Sequence, residues 1–420
     1  MKTFALVVSG LFAACVLAAA AAFVALRATL APLPGEWSIP LALGPLTIQA
    51  GVPSMLRLAT SSWGGPLLAG RRLATRHGVL HFTWDRDRVL HIRCAPCQLQ
   101  SAALGEEPLR LASVDLTMSR AGEAVSGTLQ AGEVRGQWRA RIERDRLHVR
   151  AEIPATPLSR GYALFAREIP ELARARIEGS FSLQADLVLP EGTWSVRPRV
   201  EGFAVAGLGT EALAGARSAC SRRASRLTPE SWLARAVIAA EDQRFWEHPG
   251  YDIVEVAAAF TRNQDERRIA RGASTLSQQA ARLIATGSER HAVRKLRELL
   301  YAVEMETTLG KARILRLYLD NAPWGQGLCG AEAASQHYFG VRAHELTVTQ
   351  AAWLAAMLHN PDMEAARWAE RGTIDAARAQ WVLLGMRGLP RQRKLELAED
   401  IPLVEWKPWW AAPEPTRAER

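Results

Sequence analysis

The sequence predicts a multidomain chain: an N-terminal transmembrane helix, a β-rich antiparallel domain, then an α-helical domain. Three observations predict it. Phe4 to Leu26 is apolar or small at every position. From about residue 37 to 205 apolar and polar residues alternate with period two, and beyond about residue 225 the apolar positions recur with helical spacing. At 420 residues, with 48% hydrophobic and 23% charged residues, the chain is long enough for two cores and too apolar to stay disordered.

The first element is the apolar stretch, 23 positions flanked by Lys2 and Arg27, long enough to cross the hydrocarbon layer as a helix. A cleaved signal peptide competes, because Ala18 to Ala22 offers small-residue cleavage sites, but such cores are usually shorter. A retained anchor over residues 1–30 is the expectation. A lipid-modified Cys15 fits less well, since apolar residues continue past it. Lys2 and Arg27 balance too evenly to set orientation. The net charge of +9 suits nucleic acid, anionic lipid or a phosphate-bearing substrate, and composition does not choose among them.

The second element, 37–205, contains runs such as Leu80, Phe82, Trp84 and Leu147, Val149, Ala151, Ile153, then Phe181, Leu183, Ala185, Leu187. These read as half-buried antiparallel strands. Polar clusters at Asp85–Arg88 and Glu143–Arg146 mark hairpin turns. Thr156 to Ala173 interrupts the pattern as a helix, with Thr156 as N-cap and Pro157 at the first helical position. The arginines alternate with apolar positions and read as the solvated face of a sheet. Cys94 and Cys97 form a close pair, expected as a local disulfide or two thiols, without a second pair at metal-ligand spacing. Cys220 and Cys329 read as isolated. Residues 206–225, rich in Gly and small residues, read as a linker.

The third element, 226–420, opens with Thr228, Pro229 and Glu230 in cap, proline and acidic order. Leu233, Val237 and Ala240 then share a face. Arg290 to Thr307, Lys311 to Leu319 and Thr347 to Leu358 repeat the amphipathic pattern. Four stretches of this domain gather polar groups. "AAEDQRFWEHPGYD" places Glu241, Asp242 and His248 at the end of an apolar helix. "RGASTLSQQAARLI" places Ser274, Thr275, Gln278 and Gln279 at a helix start, which suits an oxygen-rich or anionic ligand. "RHAVRKLRELL" crowds Arg294, Lys295 and Arg297 ahead of Glu298, a cationic stripe with a carboxylate at its edge. "GKARILRLYLDNAPWGQGLCGAEAASQHYFG" reads as a helix, a shaped loop and a second helix. Each stretch alone has a plainer reading as a helix cap or a solvated face.

Together and in this order the four resemble the peptidoglycan glycosyltransferase family, found in penicillin-binding proteins and monofunctional transglycosylases. Glu241, Asp242, Phe245, His248 and Gly250 match its first motif; Gly272, Ser274, Thr275, Gln278 and Gln279 the second; Arg294, Lys295 and Glu298 the third. Lys311, Ile314, Leu315, Tyr318, Leu319, Gly325, Gly330, Ala333, Ala334, Tyr338, Phe339 and Gly340 match the fourth. The resemblance covers about residues 225 to 365 and leaves the β-rich half unassigned. Arg282 keeps the charge of the lysine usual after the two glutamines. Asp320 stands where the family usually has Asn, adding a negative charge near a site for an anionic leaving group.

The resemblance implies a lysozyme-like fold and polymerisation of lipid II, with release of undecaprenyl pyrophosphate. It implies Glu241 as the base that takes the acceptor hydroxyl proton, and Arg294, Lys295 and Arg282 as the cations that receive the pyrophosphate. Glu298 would orient those cations or help hold a divalent cation, Mg or Mn. Ser274, Thr275, Gln278 and Gln279 would line the cleft, while Asp242 and His248 shape the loop. The apolar run Ile253 to Phe260 matches the family's membrane-dipping segment in position. The implied partners are lipid II, the growing glycan strand, the membrane and other cell-wall synthesis proteins, with no nucleic acid. The implied location is the inner membrane, single-pass, with catalysis on the periplasmic side. No transpeptidase motifs follow. A lytic hydrolase is the nearest alternative, opposed by the cationic third motif; a relic domain on a binding protein is the other, supported by Asp320 and opposed by Glu241 and Glu298. The Trp406, Trp409, Trp410 cluster is expected to pack on its own domain.

Overall fold

A computed structural model describes residues 31–401, except 33, 44–45, 100–107, 144, 219, 222–223, 256–273, 288–292 and 373–374. The expected span, most of the apolar run from Ile253, Gly272, Arg290 and the tryptophan tail lie outside the described residues. Among the described residues no helix is long and apolar enough to cross a membrane. The chain divides into two compact units; among the described residues the first holds 31–165 and 180–201, the second 166–179, 202–255 and 274–401.

In the first unit β1 (Ser38–Leu43) and β2 (Leu46–Gly51) form a hairpin. Two short helices follow, α1 (Val52–Ala59) and α2 (Gly64–Leu68). The remaining strands are β3 (Arg72–Thr75), β4 (Gly78–Trp84), β5 (Leu90–Leu99), β6 (Leu109–Leu111), β7 (Val114–Ala121), β8 (Ala124–Ala131), β9 (Val134–Ile142), β10 (Leu147–Pro157), β11 (Arg176–Leu189) and β12 (Thr193–Ala206). They form one sheet in the order β12-β11-β10-β9-β8-β7-β5-β4-β3, with β6 on β5. The pairings from β3 to β11 are antiparallel.

Period two explains the sheet's sidedness. On β9 Val134, Trp138, Ala140 and Ile142 are buried while Arg135, Arg139 and Arg141 are exposed. Trp138, Ala140 and Ile142 join Leu90, Met118 and Val125 in a core that Leu56 and Ala59 of α1 and Leu68 of α2 cover. The turn at Asp85 is closed by its own carboxylate, which accepts the N–H groups of Asp87 and Val89. Two expectations change here, and a third is narrowed. Residues 52–59 and 64–68 are helical, with Pro53 in the first turn of α1 and apolar side chains of both helices covering the sheet. Thr156 belongs to β10 and caps no helix; α3 (Leu158–Ala163) starts after Pro157, and a separate 3₁₀ turn covers Pro170–Ala173. Cys94 and Cys97 are bonded, which selects the disulfide from the two alternatives.

The second unit contains α4 (Trp232–Glu241), α5 (Leu276–Ala281), α6 (Arg294–Thr308), α7 (Gly310–Asn321), α8 (Ala331–Phe339), α9 (Val348–Met357), α10 (Pro361–Arg371), α11 (Ala376–Gly385) and α12 (Arg391–Asp400). Small residues let α4 and α9 be buried deeply: Ala234, Ala236, Ala351, Ala352 and Ala355 have no exposed surface. Thr347 and Gln350 close a reciprocal capping box on α9. Helix α4 begins later than Thr228, because the Ser231 hydroxyl accepts the Thr228 N–H and makes a turn of that segment.

Within 206–225 several described residues are bound to the helices. The buried Glu304 carboxylate accepts the N–H groups of Leu208, Gly209 and Thr210, and Asn321 binds Ser218 N–H and Ala216 C=O. Cys220 and Cys329 form a disulfide across 109 residues. They are isolated only in sequence.

Candidate active site

Helix α4 buries Leu233, Val237 and Ile238 in the second unit, so its last residue, Glu241, is carried by a fixed element. The Glu241 side chain is 14% exposed. Its Oε2 accepts an N–H from the Gln279 amide at 3.1 Å, and its Oε1 lies 3.8 Å from Arg378 Nη2. Burial, reinforced by the Glu241 charge, pushes the Tyr318 hydroxyl well above the ordinary tyrosine value.

Below Glu241 the next motif residues bind one another. His248 Nδ1 accepts the Gly250 N–H, so Nε2 donates to Asp242, 3.0 and 2.9 Å from its two oxygens. Asp242 also accepts the first N–H of α5, from Leu276, at 2.8 Å. Gly250 C=O accepts from the Thr275 hydroxyl at 2.7 Å. Gly250 has φ +90°, and a Cβ there would meet the Ala302 carbonyl at 3.0 Å, which is why the position takes glycine. Thr275 and Gln278 close a capping box at the start of α5. Asp242, His248, Thr275 and Gln278 therefore form a buried floor with its polar atoms engaged internally, whereas Gln279 faces Glu241.

A second cluster stands on α6. Arg294 Nη1 and Lys295 Nζ bond the two oxygens of Glu298, the latter at 2.8 Å, although the Glu298 side chain is only 1% exposed. Lys295 Nζ also donates to the Ser274 hydroxyl. Its side chain is 45% exposed, and desolvation, with Arg282 and Arg294 adding repulsion against the Glu298 attraction, holds it below the ordinary lysine value. Arg282 opens a π-helical turn, Arg282–Thr286, directly after α5. Its charge acts on both Lys295 and Tyr318. The arrangement joins a partly exposed carboxylate to a cationic group through one short helix, α5.

Arg297 does not join the cationic stripe. Its guanidinium forks onto Glu171, with Nε 3.0 Å from both oxygens and Nη2 2.6 Å from Oε1. One residue along a helix turns a side chain by about 100°, which carries Arg297 off the face of Arg294 and Glu298. Asp320 does not add charge to the cationic cluster either. It is buried, and its Oδ1 accepts from both the N–H and the hydroxyl of Ser225 at 2.7 Å. The observation that favoured a relic domain thus has a structural account.

Sequence reasoning missed Arg378, which reaches Glu241 from α11 while its Nε donates to Ala356 C=O. Nothing local separates that arginine from a solvated one. It also missed a network beneath the floor, in which Lys311 bonds Glu306 at 2.7 Å, lies 4.5 Å over the Phe245 ring, and shares Glu306 with the Ser277 hydroxyl. Burial holds Lys311 below the ordinary lysine value, against the pull of Glu306 and Asp242.

Among the described residues no group of three or more His, Cys, Asp or Glu could hold a metal ion. Both oxygens of Glu298 are engaged by cations.

A family model described as Transglycosylase matches residues 219–387. A biosynthetic peptidoglycan transglycosylase of Ectopseudomonas mendocina is 44% identical over 185 residues, 42% of this chain and 71% of that protein. Proteins of the same name from Nitrosomonas eutropha and Cronobacter sakazakii are each 46% identical, over 31% and 38% of this chain and 53% and 64% of their own length. The chain thus spans about half to two thirds of most of these relatives.

Proposed function

From the premise that this chain belongs to the peptidoglycan transglycosylase family, we propose that it polymerises lipid II into glycan strands. The observation that carries the reading is the separation of two charge clusters on either side of α5: Glu241 with Gln279, and Glu298 with Arg294 and Lys295.

A sugar 4-hydroxyl is a poor nucleophile until its proton leaves. Glu241 takes that proton as the oxygen attacks the anomeric carbon of the lipid-linked strand; the new glycosidic bond forms as the bond to pyrophosphate breaks, with inversion. Undecaprenyl pyrophosphate departs with the bonding electrons. Its gain of charge is larger in the transition state than in the ground state, so preorganised cations accelerate the step. Arg294, Lys295 and Arg282 supply that charge. Glu298 keeps Arg294 and Lys295 in place, Ser274 positions Lys295, and Gln279 orients Glu241. Asp242, His248, Thr275 and Gln278 hold the loop and helix on which these groups stand. With Glu298 occupied, no step is assigned to Mg or Mn.

The proposed location is the inner membrane, anchored by residues 4–26, with both units in the periplasm. Two disulfides support an oxidising compartment, and a polyprenyl substrate requires the enzyme at the membrane. The growing strand, the membrane and other cell-wall synthesis proteins are the partners in this reading.

The test is glycan-strand synthesis from purified lipid II by the detergent-solubilised chain, beside Glu241→Gln, with and without a chelator. Polymer from the native chain and a loss of about 10²-fold or more in the variant is expected. Equal activity of the two would remove Glu241 as the base, and lipid II bound without polymer would favour a binding protein.

A further inference from the structure

We propose that the α1–α2 hairpin and the adjoining β3 edge of the first unit form a docking face for an anionic lipid bilayer. Trp63, immediately before α2, and Leu67 within it are 58% and 65% exposed. Four residues apart, they project to the same side of that turn. Leu73 on β3 is 51% exposed and pairs with Leu80, which lies on the sheet face shared with Phe82 and Trp84. Leu68 of α2 packs on that face, so Leu73 extends it beyond the helical cover. Three large side chains in water, two on this hairpin and one on the strand after it, are a surface that needs a partner.

The charge pattern chooses the partner. Between Glu36 and Asp85 the chain contains no Asp or Glu, yet it carries Arg57, Arg71, Arg72 and Arg76. Arg57 is bound by Glu36 and Glu123. Arg71, Arg72 and Arg76 are exposed, and among the described residues no carboxylate pairs with them. A tryptophan and leucines beside arginines match the layered chemistry of a membrane surface, where the indole sits at headgroup level and guanidinium groups meet lipid phosphate. A protein partner of this charge would need a dense acidic surface.

The path of the chain agrees. Glu36 is bonded to Ser54 at 3.0 Å and Arg57 at 2.8 Å, which ties the segment entering the first unit to α1. Only eight residues lie between Arg27, at the end of the apolar stretch, and Glu36, a reach of at most about 30 Å. A hairpin tethered that closely to a membrane span lies beside the bilayer. The inference rests on the anchor reading for this tether, while the exposed side chains and missing acids stand without it.

The experiment uses the full chain in vesicles of phosphatidylglycerol and phosphatidylcholine, with benzoylphenylalanine in place of Trp63 or Leu67 and, as a control, of Gln137 on the exposed face of β9. Flotation at high salt reports the anchor, and photo-adducts report the face. The expected result is flotation with lipid adducts at positions 63 and 67 at least about fivefold above position 137. Phosphatidylcholine alone, or Arg71→Glu with Arg72→Glu, should lower the yield about fivefold or more. Flotation without adducts at 63 and 67 overturns the docking face and leaves the anchor standing; no flotation overturns both. Adducts to a second copy of the chain would make the face a protein interface and overturn the proposal.

Discussion

The sheet of the first unit and the helical second unit treat charge in opposite ways. On the sheet, Asp186 is bridged by Arg150 and Arg197 across neighbouring strands, with guanidinium side chains 74% and 63% exposed. In the second unit Glu171, Glu298, Glu304 and Asp320 are buried, each with cations, backbone N–H groups or a hydroxyl assigned to it. An exposed pair contributes little and costs little, whereas burying a carboxylate costs several kcal/mol before its partners offset it. A fold that only needed stability would use apolar residues there, as the sheet does behind Trp138. Concentrated buried charge therefore marks the region whose geometry serves chemistry.

That contrast can be broken by experiment. Glu298→Ala leaves Arg294 and Lys295 crowded without their carboxylate, and should destabilise the second unit by about 3 kcal/mol, the low end for a broken buried pair because Lys295 can turn to water. Urea denaturation measures it, and an unchanged midpoint would mean that the cluster contributes nothing to the fold. The disulfides offer a parallel contrast. Replacing Cys220 and Cys329 by Ser frees a 109-residue separation, whereas the Cys94 and Cys97 pair spans three. Loop-closure entropy sets the two losses about 3 kcal/mol apart, and thermal unfolding of the two double variants would reveal equal losses if the longer link carried no constraint.

Arg378→Ala removes the cation nearest the outer oxygen of Glu241 and should lower kcat for glycan synthesis about tenfold with a smaller change in KM, as expected of a group acting on the transition state through another residue. Recovery of part of the rate in Arg378→Lys would separate charge from packing. Arg150→Ala should be the smallest effect, within about 0.5 kcal/mol in the same unfolding measurement. A larger loss would mean that surface charge on the sheet is structural after all.

Much of the architecture was legible. Alternation marked β4, β10 and β11 because a sheet with one covered face must repeat every two residues, and the apolar repeat located α6, α7 and α9. The helical cover of the sheet was not, since α1 and α2 are only 8 and 5 residues long and a turn separates them. Motif spacing singled out Glu241, Lys295 and Glu298, and the structure joins them through α5. The charge run by itself did not separate Arg297, bound to Glu171, from Arg294, one helical step away from the site's face.

By itself the sequence determined local period, turn chemistry and family motifs, because each of these is carried by residues close together in the chain. Only the tertiary structure decided the long-range pairings: Cys220 with Cys329, Ser225 with Asp320, Glu304 with the backbone at 208–210, and Arg378 with Glu241. A cysteine, a serine or an arginine looks alike in sequence whether it meets water or a partner a hundred residues away. Packing the helices brings those partners within bonding distance, and that is what turns ordinary polar residues into the frame of a site.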